Sequence, residues 1–549
     1  MKRPSALRRV RGFVARTWVV RWLRLFVNYH WRIRPNLVRQ LRHSSNAPAY
    51  KKKKMRVLAP LIETSHYRFY HYLMFAKALE MRGAEVKVVL CGSMLPGCEL
   101  KSVKSPKVDP CLNCRFNHHS VFQLFGLESV RLDDLVPPER LDLIRAEAER
   151  IAEKFPATYR YHGFDLIPVV RDSVVRYFYG ATPNEDSEEL QRVRYEHIVS
   201  TMISFEAASE LETSFEPDVV LAYMFAYSAW APYQQFFSGR DVPVINISST
   251  QYDYSTVNVN VTDLYFSKER FNRYQSSRSN RTLTANERLE LERILDERFS
   301  GRARIFDSLG FFDGDPEVAN KLGIDRSKRN IFLFSNIFWD VGMSECARLF
   351  DGVIEWVIKT IEIVSTDEAC HLYVKPHPGE KFDSAPSLKG VIDYVHGHFP
   401  RLPGNVTFIL PEMKVKPYDL AELADLVVVY NGTLGLEMML HDVPVVACGL
   451  SAYGGRGLAI EPRTVEEYRA ALLGKIEVPP PNRDVLDMFA YFYFVKFQIP
   501  WTLTKQAYAD DFVGFSVESL DDIQPGKDRY LDHLCNCVLR PKDTVVEAW

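Results

Sequence analysis

The sequence predicts an α/β protein of two doubly wound domains behind a basic N-terminal extension, and three observations carry that prediction. Asp425 to Tyr430 has the continuously apolar, β-branched composition of a buried parallel strand. It leads through Asn431-Gly432-Thr433 into a helical stretch, with Leu436, Met439 and Leu440 on one side, and then into a second buried strand, Val443 to Cys448. The same strand–helix–strand grammar opens the other half: Met55 to Pro60, a helix from about Tyr67 to Arg82 closed by Gly83, and Ala84 to Cys91. Finally, 549 residues are too many for one hydrophobic core.

Apolar and charged contents of 46% and 25% are those of a globular protein. The net charge of −1 conceals an asymmetry. Residues 1–54 hold sixteen Lys and Arg and no acid, which leaves 53 basic against 70 acidic side chains, a net −17, for the remainder. The extension has no apolar run near the roughly 20 residues of a spanning helix, and no signal-peptide cleavage pattern. Trp18, Trp22, Phe26 and Tyr29 recur at helical spacing among Arg16, Arg21, Arg24, Arg32 and Arg34. An aromatic-faced, arginine-rich helix suits an anionic membrane surface; a basic tail or a nucleic-acid contact are the alternatives.

Nine cysteines without an export signal fit a reducing, cytoplasmic setting. Four of them, Cys91, Cys98, Cys111 and Cys114, fall within 24 residues, the last two as a CxxC pair. That pattern is half of a structural zinc site, and loop or core cysteines are the competing reading. Residues 137–215 are helix-rich. Val219 to Tyr223 and Val242 to Ile247 are further strands, followed by Tyr252, Asp253 and Tyr254. Asp313-Gly314-Asp315 sits in a polar turn before Pro316 and reads as a helix start, so no required metal is expected there. Val485 to Lys496 is a strongly aromatic helix, and residues 506–549 are expected to form a loosely packed acidic tail.

Chemistry concentrates in the second half. The strand Cys370 to Val374 ends in Lys375-Pro376-His377-Pro378-Gly379-Glu380. Two prolines fix the backbone around one histidine at the carboxyl end of a strand, the edge where open α/β sheets bind ligands. A held imidazole beside a lysine suits a phosphate. In the Asn431-Gly432-Thr433 turn, backbone N–H groups and the Thr433 hydroxyl suit the same anion. Glu437, one turn on, would accept from a sugar hydroxyl pair. A simple helix cap and a Lys-Pro turn are the bland alternatives.

KPHPGE, followed about fifty residues later by NGTLGLEMMLHDVPVVACGLSAYGGRGL, resembles the capsular-polysaccharide biosynthesis family. These are GT-B-type bacterial glycosyltransferases, capsule Kdo transferases among them. The resemblance covers roughly 330–470. It implies two Rossmann-type domains facing across a cleft, with donor contacts at Lys375, His377, Asn431, Gly432, Thr433, Gly435, Glu437 and Tyr453. Leu436 departs from the family's aromatic, and Gly454-Gly455-Arg456 stands where Kdo enzymes often carry Ala-Gly-Trp. The loop after the first strand is where such enzymes join acceptor and donor. Glu63 and His66 are therefore candidates for the general base, or else cap the following helix; His377 is the third catalytic candidate.

The implied organisation is a membrane-surface segment, 1–54; an acceptor domain, 55–265; a helical linker, 266–324; a nucleotide-sugar domain, 325–475; and a bridging helix and tail, 476–549. The implied activity is metal-independent transfer from a CMP-, UDP- or GDP-linked sugar to a glycan or glycolipid acceptor of a surface polysaccharide. A lipid-linked acceptor would hold the enzyme peripherally on the cytoplasmic face of the cell membrane, which favours the lipid reading of 1–54 over nucleic acid. A glycerol- or ribitol-phosphate transferase of teichoic-acid type, and a non-catalytic assembly subunit, are the alternatives.

Overall fold

The computed structural model describes residues 55–62, 68–104, 111–117, 122, 125–222, 224–249, 256–261, 268–300, 317–340, 343–344, 346–382, 386–413, 415–506 and 512–541. The basic segment 1–54, the Glu63–His66 loop, Tyr252 to Tyr254 and the Asp313–Asp315 turn lie outside them. No helix among the described residues is long and apolar enough to cross a membrane.

Two sheets organise the chain. The first contains β1 (Arg56–Pro60), β2 (Glu85–Leu90), β3 (Glu128–Arg131), β4 (Val219–Ala222), β5 (Val244–Ser249) and β6 (Thr256–Val261). The second contains β7 (Arg329–Phe334), β8 (Cys370–Lys375), β9 (Val406–Phe408), β10 (Leu426–Val429) and β11 (Val445–Ala447). The parallel strands run β5-β4-β1-β2-β3 in one and β11-β10-β7-β8-β9 in the other, and β6 adds antiparallel beside β5 in the first. Each set therefore has the doubly wound order 3-2-1-4-5 counted from its own first strand, and the chain is an α/β protein with two Rossmann-type domains.

Side-chain alternation explains the two layers on each sheet. In β1, Val57 and Ala59 join the core under α1 (Arg68–Met81), while Leu58 faces the core of α2 (Glu188–Ser214) and α3 (Tyr227–Ser238). In β7, Phe332 and Phe334 face one core and Ile331 and Leu333 the other. The linker helix α4 (Ala285–Phe299) begins with a capping box, Thr284 and Glu287 bonding each other's backbone. α5 (Val353–Val364) covers one face of the second sheet, and α6 (Leu434–Leu440) the other.

After the aromatic helix α7 (Arg483–Tyr491) the chain returns to the first sheet. β12 (Ile499–Pro500) pairs antiparallel with β6. The stretch expected to be a loose tail instead carries α8 (Arg529–Leu539). Leu531, Leu534, Cys535 and Val538 of α8 are buried in the core with Leu73 and Leu79 of α1, and Arg82 pairs with Asp532 at 2.5 Å. Spaced three or four apart, those apolar residues make a stripe that the acidic composition of the stretch obscures.

The halves touch directly. The Tyr179 carbonyl accepts from Leu388 N–H at 2.9 Å, and the Gly180 carbonyl from the Tyr394 hydroxyl at 2.8 Å. The Tyr179 and Trp339 rings meet edge-on at 5.0 Å.

Candidate functional site

In a doubly wound sheet the strand order reverses between the first and fourth strands, and the loops leaving their carboxyl ends splay apart to form a crevice. In the second domain those strands are β7 and β10. The loop after β7 brings Ser335, Asn336 and Ile337; the loop after β10 brings Asn431, Gly432 and Thr433; neighbouring β8 ends in Lys375. These loops are joined. Asn336 Nδ2 donates to Asn431 Oδ1 at 2.8 Å across the reversal, and Ser335 N–H donates to the Lys375 carbonyl at 3.1 Å. A Cβ added at Gly379 would lie 2.8 Å from Ile337 Cδ1, so the His377 loop rests on the Asn336 loop.

Lys375 is only 6% exposed, and no described residue pairs with its ammonium group. Burial alone pushes it down to about 8. Ser335, at the end of β7, is buried with its hydroxyl unpartnered. His377 is half-buried, and its Nδ1 accepts from Gly379 N–H at 3.0 Å, which fixes the tautomer with the proton on Nε2. Glu380 ends the motif facing away from the crevice: its carboxylate accepts from Val391 N–H at 3.3 Å, and burial raises it to about 7.

The turn–helix has a different interior from the one expected. Thr433 stands at the N-cap without a side-chain capping bond, half-buried. Gly435 is obligatory for a steric reason: a Cβ there would sit 2.1 Å from Tyr453 Oη. Tyr453 is buried, and its hydroxyl donates to the Gly432 carbonyl at 3.1 Å, so it props the turn from below instead of facing a donor. Glu437 is also turned inward. It is 2% exposed, with Arg298 Nε at 2.5 Å from Oε1 and the Tyr418 hydroxyl at 2.7 Å from Oε2. Both oxygens serve the protein, which corrects its expected contact with a ribose. Helical spacing located the residue, but no local signal reveals a partner 139 positions earlier.

Thus Lys375, His377, Asn431, Gly432 and Thr433 belong to one set of contiguous loops, with Gly435 and Tyr453 supporting it. Ser335 was missed because a serine ending an apolar strand carries no signature. Among the described residues, no three His, Cys, Asp or Glu side chains assemble as metal ligands. None of Cys91, Cys98, Cys111 and Cys114 is in a disulfide, Cys114 is buried, and they form no metal-ligand group among the described residues, so the zinc reading of that cluster is not met there.

No family model matches the chain. No curated protein matches it either. Among solved structures, it resembles the Thermosulfurimonas dismutans KpsC β-Kdo 2,4-transferase at 14% identity, over 50% of this chain and 79% of that one, with a TM-score of 0.32. It resembles Anabaena Alr3699/HepE, solved with UDP and glucose, at 12% identity over 80% and 95% of the two chains, with a TM-score of 0.25. A glycosyltransferase from Rickettsia africae matches at 8% identity over 89% and 100%, with a TM-score of 0.28. Likenesses this distant carry no functional weight; the two strand orders above define the fold.

Proposed function

We propose that this chain is a glycosyltransferase of GT-B type, moving a sugar from a nucleotide-activated donor to a surface-polysaccharide acceptor. The observation that carries the reading is the buried ammonium of Lys375, paired with no described residue, at the carboxyl end of β8 beside the switch point of the second sheet. A lone charge held out of water is costly unless a ligand supplies its counter-charge. The crevice of a doubly wound sheet is where nucleotides bind, and a phosphate is the anion they bring.

In the reaction, an acceptor hydroxyl attacks the anomeric carbon as the bond from that carbon to the phosphate oxygen breaks. The electron pair leaves on the phosphate. Lys375 and the Nε2–H of His377 meet the charge that develops there, with the Thr433 hydroxyl alongside. The hydroxyl proton passes to Glu63 or His66, the two candidates on the loop after β1. The acceptor is proposed to be lipid-linked, with residues 1–54 holding the enzyme to an anionic membrane surface.

Calorimetry of the full chain with CMP, UDP and GDP tests the donor site, with Lys375→Met and His377→Ala as controls. One nucleotide should bind, and Lys375→Met should weaken it at least tenfold. Equal binding by wild type and variant, or none by wild type, would remove the basis of the proposal. A donor assay with CDP-linked polyols beside nucleotide sugars separates the polyol-phosphate alternative.

A further inference from the structure

A second unpaired cation lies on the loop that follows β11, at the same carboxyl edge of the second sheet. Arg456 Nη1 donates to the Ala452 and Gly454 carbonyls at 2.7 and 2.9 Å, which ties the guanidinium to its own turn. Its plane lies near two rings, with the Phe489 centroid at 4.7 Å and the Phe271 centroid at 5.3 Å. Gly455 and Gly457, at φ of +66° and +67°, give the turn a backbone that other residues resist. The side chain is thereby held in place, yet Nε and Nη2 are both buried without any hydrogen-bond partner. The Ser451 hydroxyl, in the same turn, is buried beside the Tyr453 hydroxyl.

Glu461 offsets the charge only in part and makes its own bonds elsewhere. Glu461 accepts from Arg348 Nη1 at 2.9 Å and from Gly455 N–H. Burial pushes the Arg456 guanidinium down to about 10 against the opposing charge of Glu461. The unpartnered edge matters chemically. Nε and Nη2 form the side of the guanidinium fork that matches two oxygens of a carboxylate or phosphate, whereas a cation–π role alone would use only its faces.

We infer that the 451–456 turn is an oxyanion subsite, in which the Nε–Nη2 edge of Arg456 grips one carboxylate or phosphate group of a bound saccharide. It is separate from the Lys375 position. β11 stands three strands from β8, about 14 Å at a ~4.8 Å strand spacing. The subsite does not depend on the nucleotide reading, since an anionic sugar of donor or acceptor would fill it equally.

The test is titration calorimetry of the full chain with sodium glucuronate and, separately, inorganic phosphate, at constant ionic strength. Wild type should bind at least one, and which one tells carboxylate from phosphate. Arg456→Gln should weaken that binding at least tenfold, and Arg456→Lys, which keeps charge but loses the fork, should lose most of it. Titrating phosphate in the Lys375→Met background keeps the proposed nucleotide site from contributing, and Arg456→Gln added there should still weaken binding at least tenfold. A melting curve establishes that each variant is folded; if Arg456→Gln is not, Arg456→Lys decides. Failure of both anions to bind wild type, or unchanged binding in the folded Arg456 variant, would each overturn the inference.

Discussion

Lys375 is an expensive residue to leave where it stands, because desolvation disfavours its charge and no described residue compensates. Its pH behaviour follows. The folded group titrates at about 8 and the unfolded one near 10.4, so the unfolded chain binds more protons between those values and stability rises with pH across that window. Anion binding moves oppositely: nucleotide affinity should hold below about pH 8 and fall as pH rises through it, and Lys375→Met should abolish that slope in calorimetry. Glu437 shows what sequence cannot convey at this scale. Its register on a helix was legible, but its direction is set by Arg298 on the linker helix. Glu437→Ala should take the carboxylate away from the buried Arg298 guanidinium, at a cost of about 3–5 kcal/mol in urea unfolding. The double variant with Arg298→Met should recover much of that loss. Additive losses would show that the two side chains do not act as a pair.

At the scale of elements, α6 and the turn before it work as a stacked assembly. The Asn431-Gly432-Thr433 turn was readable from polar residues breaking an apolar strand, because turn chemistry is local. Its support was not readable as support, because Tyr453 reaches it from the loop after β11. The contact makes Gly435→Ala informative. The added methyl must displace Tyr453 Oη at 2.1 Å, and Tyr453 Cζ lies at 2.9 Å. Overpacking of this kind costs about 1–3 kcal/mol. Because the displaced ring props the Gly432 carbonyl, nucleotide binding should weaken along with stability. Adding Tyr453→Phe removes the oxygen but keeps the ring, so the double variant should regain part of the melting temperature. A purely local effect of alanine on α6 would leave the double variant as unstable as Gly435→Ala. α8 makes the complementary point. Its apolar stripe was present in the sequence, but average composition hid it, and only the exposed side of α1 and β1 shows why it folds back.

For the whole molecule, both Rossmann-type units were legible from strand–turn–helix–strand grammar, whereas their docking was not, since it depends on side chains far apart in sequence. One buried carboxylate joins the halves. Asp172, in the helix Ile167–Tyr177, accepts from Ser344 N–H at 3.2 Å and from the Ser344 hydroxyl, in the loop beyond Trp339. Burial raises Asp172 to about 6, with the two Ser344 bonds and the charge of Arg171 pulling it down and the Tyr227 hydroxyl nearby. An unfolded aspartate titrates near 3.9, so between about pH 4 and 6 the folded chain binds the extra proton. The associated stability is fully present below about pH 4 and is lost as pH rises through about 6. Asp172→Asn keeps an acceptor for Ser344 and removes the titration, so its melting temperature should vary less across that window than that of wild type. Ser344→Ala removes the hydroxyl donor and leaves the buried carboxylate with the backbone N–H alone, at about 1–3 kcal/mol, and it loosens the contact that sets the halves against each other. Small-angle scattering should then report a larger radius of gyration for Ser344→Ala at pH 7, with the Leu388–Tyr179 and Tyr394–Gly180 contacts limiting the opening. An unchanged radius with a lowered melting temperature would make Asp172 a stabilising group that has no part in how the cleft closes.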